Sequence, residues 1–207
     1  KEQISKDFED AYPLSNLQRG MLFHTLLDSS NSTYHDVFSF HVQCRWNQFA
    51  FEEALKILVM QSAVLRTVFD LSGPRPIQKV KIFDSLPLIY DDIRSLSEQE
   101  QNSYILKWIN IEKESSFNWE EGPLFRVFIR RRSDESFEYS LSFHHAILDG
   151  WSVATFSSQL YQQYHSIMKT GKPIEWKYDF VFRNYIATEL HELKNVQSAQ
   201  YWQDKLE

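Results

Sequence analysis

Phe143-His144-His145-Ala146-Ile147-Leu148-Asp149-Gly150-Trp151-Ser152 joins two patterns of different period. Upstream, residues 137–144 read as a strand, and Ser133-Asp134-Glu135-Ser136 is a hairpin loop from a preceding strand at 123–131. Downstream, Val153, Phe156, Leu160, Tyr164 and Ile167 fall on one face of a predicted helix over 151–169. The decamer is therefore a strand-to-helix connection, with Gly150 permitting an unusual turn. Side chains alternate along a strand, so the two histidines point to opposite faces. His145 shares parity with Phe137, Tyr139, Leu141 and Phe143, and His144 with Glu138, Ser140 and Ser142. Only one of them faces a given substrate channel, where an imidazole suits proton transfer near neutral pH.

On spacing alone, other readings stand beside that one. Adjacent histidines at a strand end also fit a core-satisfied or surface pair. His145 and Asp149 have the i, i+4 spacing of helical metal ligands, but the chain is leaving a strand there and shows no second ligand pair. No Gly-x-Ser-x-Gly elbow supports a serine hydrolase.

Working outward, residues 15–27 predict an amphipathic helix through Leu14, Leu17, Met21, Leu22 and Leu26, followed by a polar loop from Asp28 to Asp36. Residues 37–45 alternate as a strand, and Asn47 caps a helix whose apolar face is Phe51, Ala54, Leu55, Leu58, Val59 and Leu65. Residues 66–70 are extended, strands follow at 77–83 and about 86–90, and Ser97 with Glu100 marks a capping box for a helix over 97–115. Lys169 to Pro173 is a turn, and two further helical stretches occupy 179–207. Strands and helices without a regular βα rhythm indicate an α+β fold, a mixed sheet covered by helices in a two-layer sandwich.

Composition narrows the function classes. Of 207 residues, 43% are hydrophobic and 24% charged, which argues against disorder. Acidic residues outnumber basic ones by 28 to 22, so no basic surplus points to nucleic acid. Arg130-Arg131-Arg132, the nearest basic run, reads as a solvated strand terminus. The single cysteine, Cys44, forms no internal disulfide or zinc cluster and suits a reduced, cytoplasmic setting. Lys1 to Asp10 is charged rather than of signal-peptide type, and no stretch is apolar enough to span a membrane.

Five segments together resemble the condensation domains of nonribosomal peptide synthetases. His144-His145-Ala146-Ile147-Leu148-Asp149-Gly150 matches that family's HHxxxDG signature, extended by Trp151-Ser152. Ser15-Asn16-Leu17-Gln18-Arg19-Gly20-Met21-Leu22-Phe23-His24 resembles its opening helix, and Leu65-Arg66-Thr67-Val68-Phe69 the end of its RHExLRTxF motif. Tyr178-Asp179-Phe180-Val181-Phe182 and Tyr201-Trp202-Gln203-Asp204-Lys205-Leu206 are similar to its later segments.

The resemblance implies a chloramphenicol acetyltransferase-like fold of two lobes, of which residues 1–177 are the N-terminal lobe. Residues 178–207 are then the crossover and first helices of an otherwise absent C-terminal lobe. It implies amide bond formation between a donor acyl thioester and an acceptor aminoacyl thioester, both tethered to carrier domains. His145 is the implied catalytic residue, accepting the amine proton or positioning the amine. Asp149 pairs with an arginine to hold the loop, with Arg66 a candidate; Gly150 leaves room for the reacting arm, and His144 buttresses the loop. Trp151 extends the motif.

The implied partners are donor and acceptor carrier domains, adjacent synthetase domains and the second lobe. Phosphopantetheine belongs to the carriers; no cofactor or metal of the chain's own is implied. Gln61-Ser62-Ala63 departs from the family's Arg-His-Glu. The expectation is half an enzyme, inactive alone, whose exposed Trp176, Phe180, Phe182, Tyr185 and Trp202 promote self-association or leave the last helices in a non-family position. Alternatives are a non-catalytic carrier-binding lobe and an epimerase or ester-forming relative, the latter disfavoured by Met21-Leu22-Phe23-His24.

Overall fold

The computed structural model describes residues 6–27, 33–176 and 181–206. Most of the expected polar loop, residues 28–32, lies outside the described residues, as do Tyr178-Asp179-Phe180 and the start of the charged N-terminus. The chain forms β1 (Phe8–Pro13), α1 (Asn16–Leu27), β2 (His35–Val42), α2 (Gln48–Gln61), a short 3-10 turn (Ala63–Arg66), β3 (Thr67–Asp70), β4 (Ile77–Lys81) and β5 (Leu88–Asp92). It continues with α3 (Glu98–Glu114), β6 (Phe125–Arg131), β7 (Phe137–His144), α4 (Gly150–Thr170), α5 (Phe182–Glu192) and α6 (Val196–Leu206).

Two sheets result. The larger has the order β2-β7-β6-β5, antiparallel except for the β5–β6 pair, which is parallel. The smaller, β1-β4-β3, is antiparallel throughout. The mixed sheet covered by helices is as the sequence predicts, whereas β1 forms where the sequence reads only as a charged terminus. Residues 35 and 36 begin β2 rather than end a loop, because the ladder to β7 continues to His35 opposite His144.

The alternation along β6 and β7 separates two different coverings. Phe125, Val127, Ile129, Phe137, Tyr139, Leu141 and Phe143 are buried in one cluster with Phe51, Leu55 and Leu58 of α2 and Phe156, Leu160 and Tyr164 of α4. Each such side chain contributes on the order of 1.5–3 kcal/mol by leaving water. Tyr164 also ties the two helices, its hydroxyl accepting from the Asn47 amide at 2.9 Å and donating to the Arg45 carbonyl at 2.7 Å.

The other face is polar and lies under α3. Buried Arg130 stacks over Trp108 at 3.8 Å, and Arg132 pairs with Glu138 at 3.0 Å, both partners almost wholly enclosed. This corrects the reading of Arg130-Arg131-Arg132 as a solvated terminus. Burial would cost a lone guanidinium several kcal/mol, and the aromatic face and carboxylate offset that cost.

Helix α5 packs back onto the small sheet, burying Ile186 against Tyr12 and Val80 with Phe182 alongside. Its Glu189 accepts from the Asn16 amide at 3.1 Å, satisfying a free donor at the start of α1. Helix α6 has no buried residue.

Candidate functional site

Strand β7 ends at His144, and a tight turn through Ala146 to Asp149 leads into α4. Asp149 forms the hinge of this connection: it is the N-cap of α4, its carboxylate accepting from the Ser152 amide at 2.7 Å. Those hydrogen bonds hold its carboxyl below the ordinary carboxylate range. The expected arginine partner is corrected here, since no arginine pairs with Asp149 among the described residues. Arg66 pairs with Glu9 at 2.7 Å and donates to the carbonyls of Val59 at 3.0 Å and Lys81 at 2.6 Å. It therefore braces the end of α2 against β4 and β1, away from the histidines.

Gly150 takes no left-handed conformation, so the predicted unusual turn is absent. A methyl group at that position would meet nothing within 4 Å, and the next residue, Trp151, is 84% exposed. The glycine faces open space at the mouth of the helix.

The two histidines have the divided environments that alternation predicts. His144 is buried at 3% exposure, edge-on to Trp119 at 4.5 Å. Its Nδ1 accepts from the Ala146 amide at 3.0 Å, which places the hydrogen on Nε2, 3.4 Å from Thr25 Oγ1. Burial first, then the nearby His35 and His145, push its pKa down to about 3. A neutral imidazole bonded within its own turn buttresses the loop and is unsuited to accepting protons from a substrate.

The His145 side chain is 28% exposed. Its backbone amide donates to the Tyr34 carbonyl at 2.8 Å, its Nδ1 lies 3.1 Å from the Leu148 carbonyl, and its Nε2 lies 2.9 Å from Asp36 Oδ2. The ring packs edge-on to Phe143 at 5.3 Å. Backbone and side chain are thus both fixed while one edge of the ring stays open.

Other residues shape the site, one from a motif the sequence already marks and one with no signal of its own. Buried Gln18 donates to the Ala146 carbonyl at 3.0 Å and accepts from the Ser15 amide at 2.9 Å, while Gln78 of β4 donates to it at 3.0 Å. The glutamine of the opening helix motif thus fastens α1 and the small sheet to the histidine turn. Asp36 falls in a stretch whose sequence reads as loop. A cleft of about 440 Å³ shares the wall Ile147, Leu148 and Asp149 with the turn and is also lined by Val64, Phe156 and Phe182. Among the described residues, no group of three or more His, Cys, Asp or Glu side chains is placed to hold a metal ion, and no helix is long and apolar enough to cross a membrane.

The chain resembles known proteins over nearly its whole length. A plipastatin synthase polypeptide of Bacillus subtilis (strain 168) is 31% identical over 207 residues, covering 98% of this chain and 8% of that protein. A mycosubtilin synthase polypeptide of Bacillus subtilis is 31% identical over 204 residues, covering 97% of this chain and 8% of that protein. Among solved structures, the starter condensation domain of rhizomide synthetase superposes with a TM-score of 0.82 at 18% identity, covering 95% of this chain and 50% of that one. The first condensation domain of the calcium-dependent antibiotic synthetase, solved with a substrate analogue, gives 0.80 at 16% identity over 93% of this chain and 46% of that one. The chain thus spans a small part of its curated relatives and about half of the solved domains. At these identities the structures speak for the fold alone. With a buried buttress in His144, a part-exposed partner in His145 and a family profile described as "Condensation domain" matching residues 8–207, the chain belongs to the condensation domain family.

Proposed function

We propose that this chain supplies the histidine-bearing lobe of a centre that joins a donor acyl thioester to an acceptor amine in nonribosomal peptide synthesis. The supporting observation is His145, fixed at both ring nitrogens yet open along one edge at the end of β7. In the reaction the acceptor nitrogen forms a bond to the donor carbonyl carbon and the carbon–sulfur bond breaks. One amine proton is lost, the departing sulfur takes up a proton, and amide and thiol result. His145 either receives the amine proton or orients the amine, and holding two tethered reactants in register supplies much of the rate. Gly150 leaves space for the reacting arm.

Donor and acceptor arrive on the phosphopantetheine arms of carrier domains, within a cytoplasmic synthetase whose adjacent domains supply and receive them. The chain binds no cofactor of its own. Residues 1–177 act as the N-terminal lobe and 178–207 lead into a second lobe; within that segment α5 packs on the small sheet and α6 has no buried residue. That bare helix also supports a second reading, in which the chain self-associates or binds carriers without catalysis.

Mass spectrometry of an acceptor carrier tests the reading, with a loaded donor carrier, the chain, and the matching second lobe as a separate polypeptide. Amide product is expected only after complementation, and His145→Ala should lower its rate by about 10²- to 10⁴-fold. Carrier binding with no product from either form supports the non-catalytic reading, and full activity of H145A overturns the role of His145.

A further inference from the structure

Among the described residues, the two ring nitrogens of His145 each contact an oxygen atom that accepts hydrogen bonds. The Leu148 carbonyl oxygen, 3.1 Å from Nδ1, can only accept, and so can an ionised Asp36 carboxylate, 2.9 Å from Nε2. A neutral ring has one hydrogen for these two acceptors. Placed on Nε2, it would leave the Nδ1 lone pair against the Leu148 oxygen; placed on Nδ1, it would leave the Nε2 lone pair against Asp36. The arrangement closes with a hydrogen on both nitrogens, or with one proton shared across the Nε2···Oδ2 contact. In either case Nε2 has no free lone pair to offer a substrate.

Asp36 is placed firmly on β2. Its neighbour His35 is buried, with Nε2 2.7 Å from Ser142 Oγ, and Ser142 donates to Glu112 at 2.6 Å. Arg126 donates to the same Glu112 oxygen at 2.7 Å and stacks over Phe117 at 4.2 Å, the ring that also packs on His35. Burial and the Arg126 charge push the pKa of His35 down, so it remains a neutral member of this network. The β2–β7 register sets Asp36 opposite Phe143, and the Tyr34 carbonyl holds the His145 amide. The Asp36 side chain itself is 45% exposed, so its carboxylate is open to another cation from solvent. The other titratable groups that act on His145 are Asp149 at the start of α4 and the neutral His144 on β7.

We propose that Asp36 is a positioning residue that keeps Nε2 of His145 occupied in the resting protein and releases it when a cationic amine pairs with its carboxylate, the Nε2 proton passing to solvent. The release step rests on the proposed function, because an acceptor amine is mostly an ammonium ion near neutral pH. The resting contact does not rest on it. The device favours an amine over a hydroxyl acceptor, since only the amine brings the charge that Asp36 exchanges for.

Nitrogen-15 spectra of the histidine-labelled chain at neutral pH, with His145 assigned by comparison with H145Q, read the ring directly. Hydrogens are expected on both nitrogens in the unaltered chain. In Asp36→Asn the amide can donate to Nε2, so the expected ring is neutral, with an unprotonated Nε2 and a hydrogen on Nδ1; Asp36→Glu should restore the second hydrogen. Amide-proton dispersion of the same samples reports whether each variant is folded. Diethyl pyrocarbonate, which attacks a bare imidazole nitrogen, should modify His145 severalfold faster in D36N, as read by peptide mass mapping. Glycinamide, a cationic amine, should bare Nε2 in the unaltered chain, and neutral glycolamide should not. A bare Nε2 in the resting chain, or an unchanged ring in folded D36N, overturns the contact. Equal responses to glycinamide and glycolamide overturn the release step. Neither result depends on whether the chain makes amide.

Discussion

His144 is a titratable group whose ionised form the fold disfavours. Its unfolded pKa is near 6.5 and its folded pKa is held at about 3, so between those values the unfolded chain binds a proton that the native one does not. His35, also pushed down by burial, acts in the same sense. Stability should therefore be fully present above about pH 6.5 and fall as the pH drops toward 3, by up to about 1.4 kcal/mol per pH unit for each proton so excluded. Urea unfolding at a series of pH values checks this, and His144→Gln should flatten the slope over the same range. At this scale parity separates the two histidines along a strand but does not show which is enclosed, since it groups His145 with the apolar residues of β7 and buried His144 with Glu138, Ser140 and Ser142. Nor does the sequence show Asp36 beside His145 or Gln18 beneath Ala146. Those pairs are 109 and 128 residues apart in sequence, and neither has a local signature.

Among the elements, those with local chemistry are legible. Helix α3 has the full capping box that Ser97 and Glu100 announce, and α2 begins at the Asn47 cap. Strand β1 is not legible, since Glu9, Asp10 and Pro13 read as a polar terminus; their strand conformation comes from pairing with β4, an edge arrangement that tolerates charge and proline. The segment from Phe117 to Leu124 likewise carries no motif, yet it sets the Trp119 ring against His144 and bonds the Phe69 amide through the Trp119 carbonyl at 2.7 Å. It turns at Gly122, whose φ of +59° is left-handed and where a Cβ would come 2.7 Å from Val68 Cγ1. Gly122→Ala is expected to cost at least about 1–2 kcal/mol. Chemical denaturation measures this loss, and the same variant should perturb the His144 ring signals without touching the histidine turn directly.

Over the whole molecule, the α+β architecture follows from the mixture of periods, whereas the seating of the last helices depends on distant surfaces. The expected exposure of the terminal apolar residues divides: Trp176 packs against the main core and Phe182 against the small sheet, but Tyr185 and Trp202 are 47% and 61% exposed. Phe180 lies outside the described residues. A helix with one bare apolar face gains by covering it, so sedimentation of the chain should show association that rises with concentration. Trp202→Glu should return it toward monomer, and a strictly monomeric species across a wide concentration range overturns the expectation.

The pairing of an early strand with the end of β7 bears on how such domains can be recombined. Asp36 and His145 meet across 109 residues, and His35 reaches Ser142 across 107. A chimera whose junction falls anywhere between residues 37 and 141 would take the two sides of both contacts from different parents. Each parental segment could be wholly native and the hybrid still mismatched at its reactive imidazole. Junctions placed before Tyr34 or after Ser152 inherit both of these contacts from one ancestor.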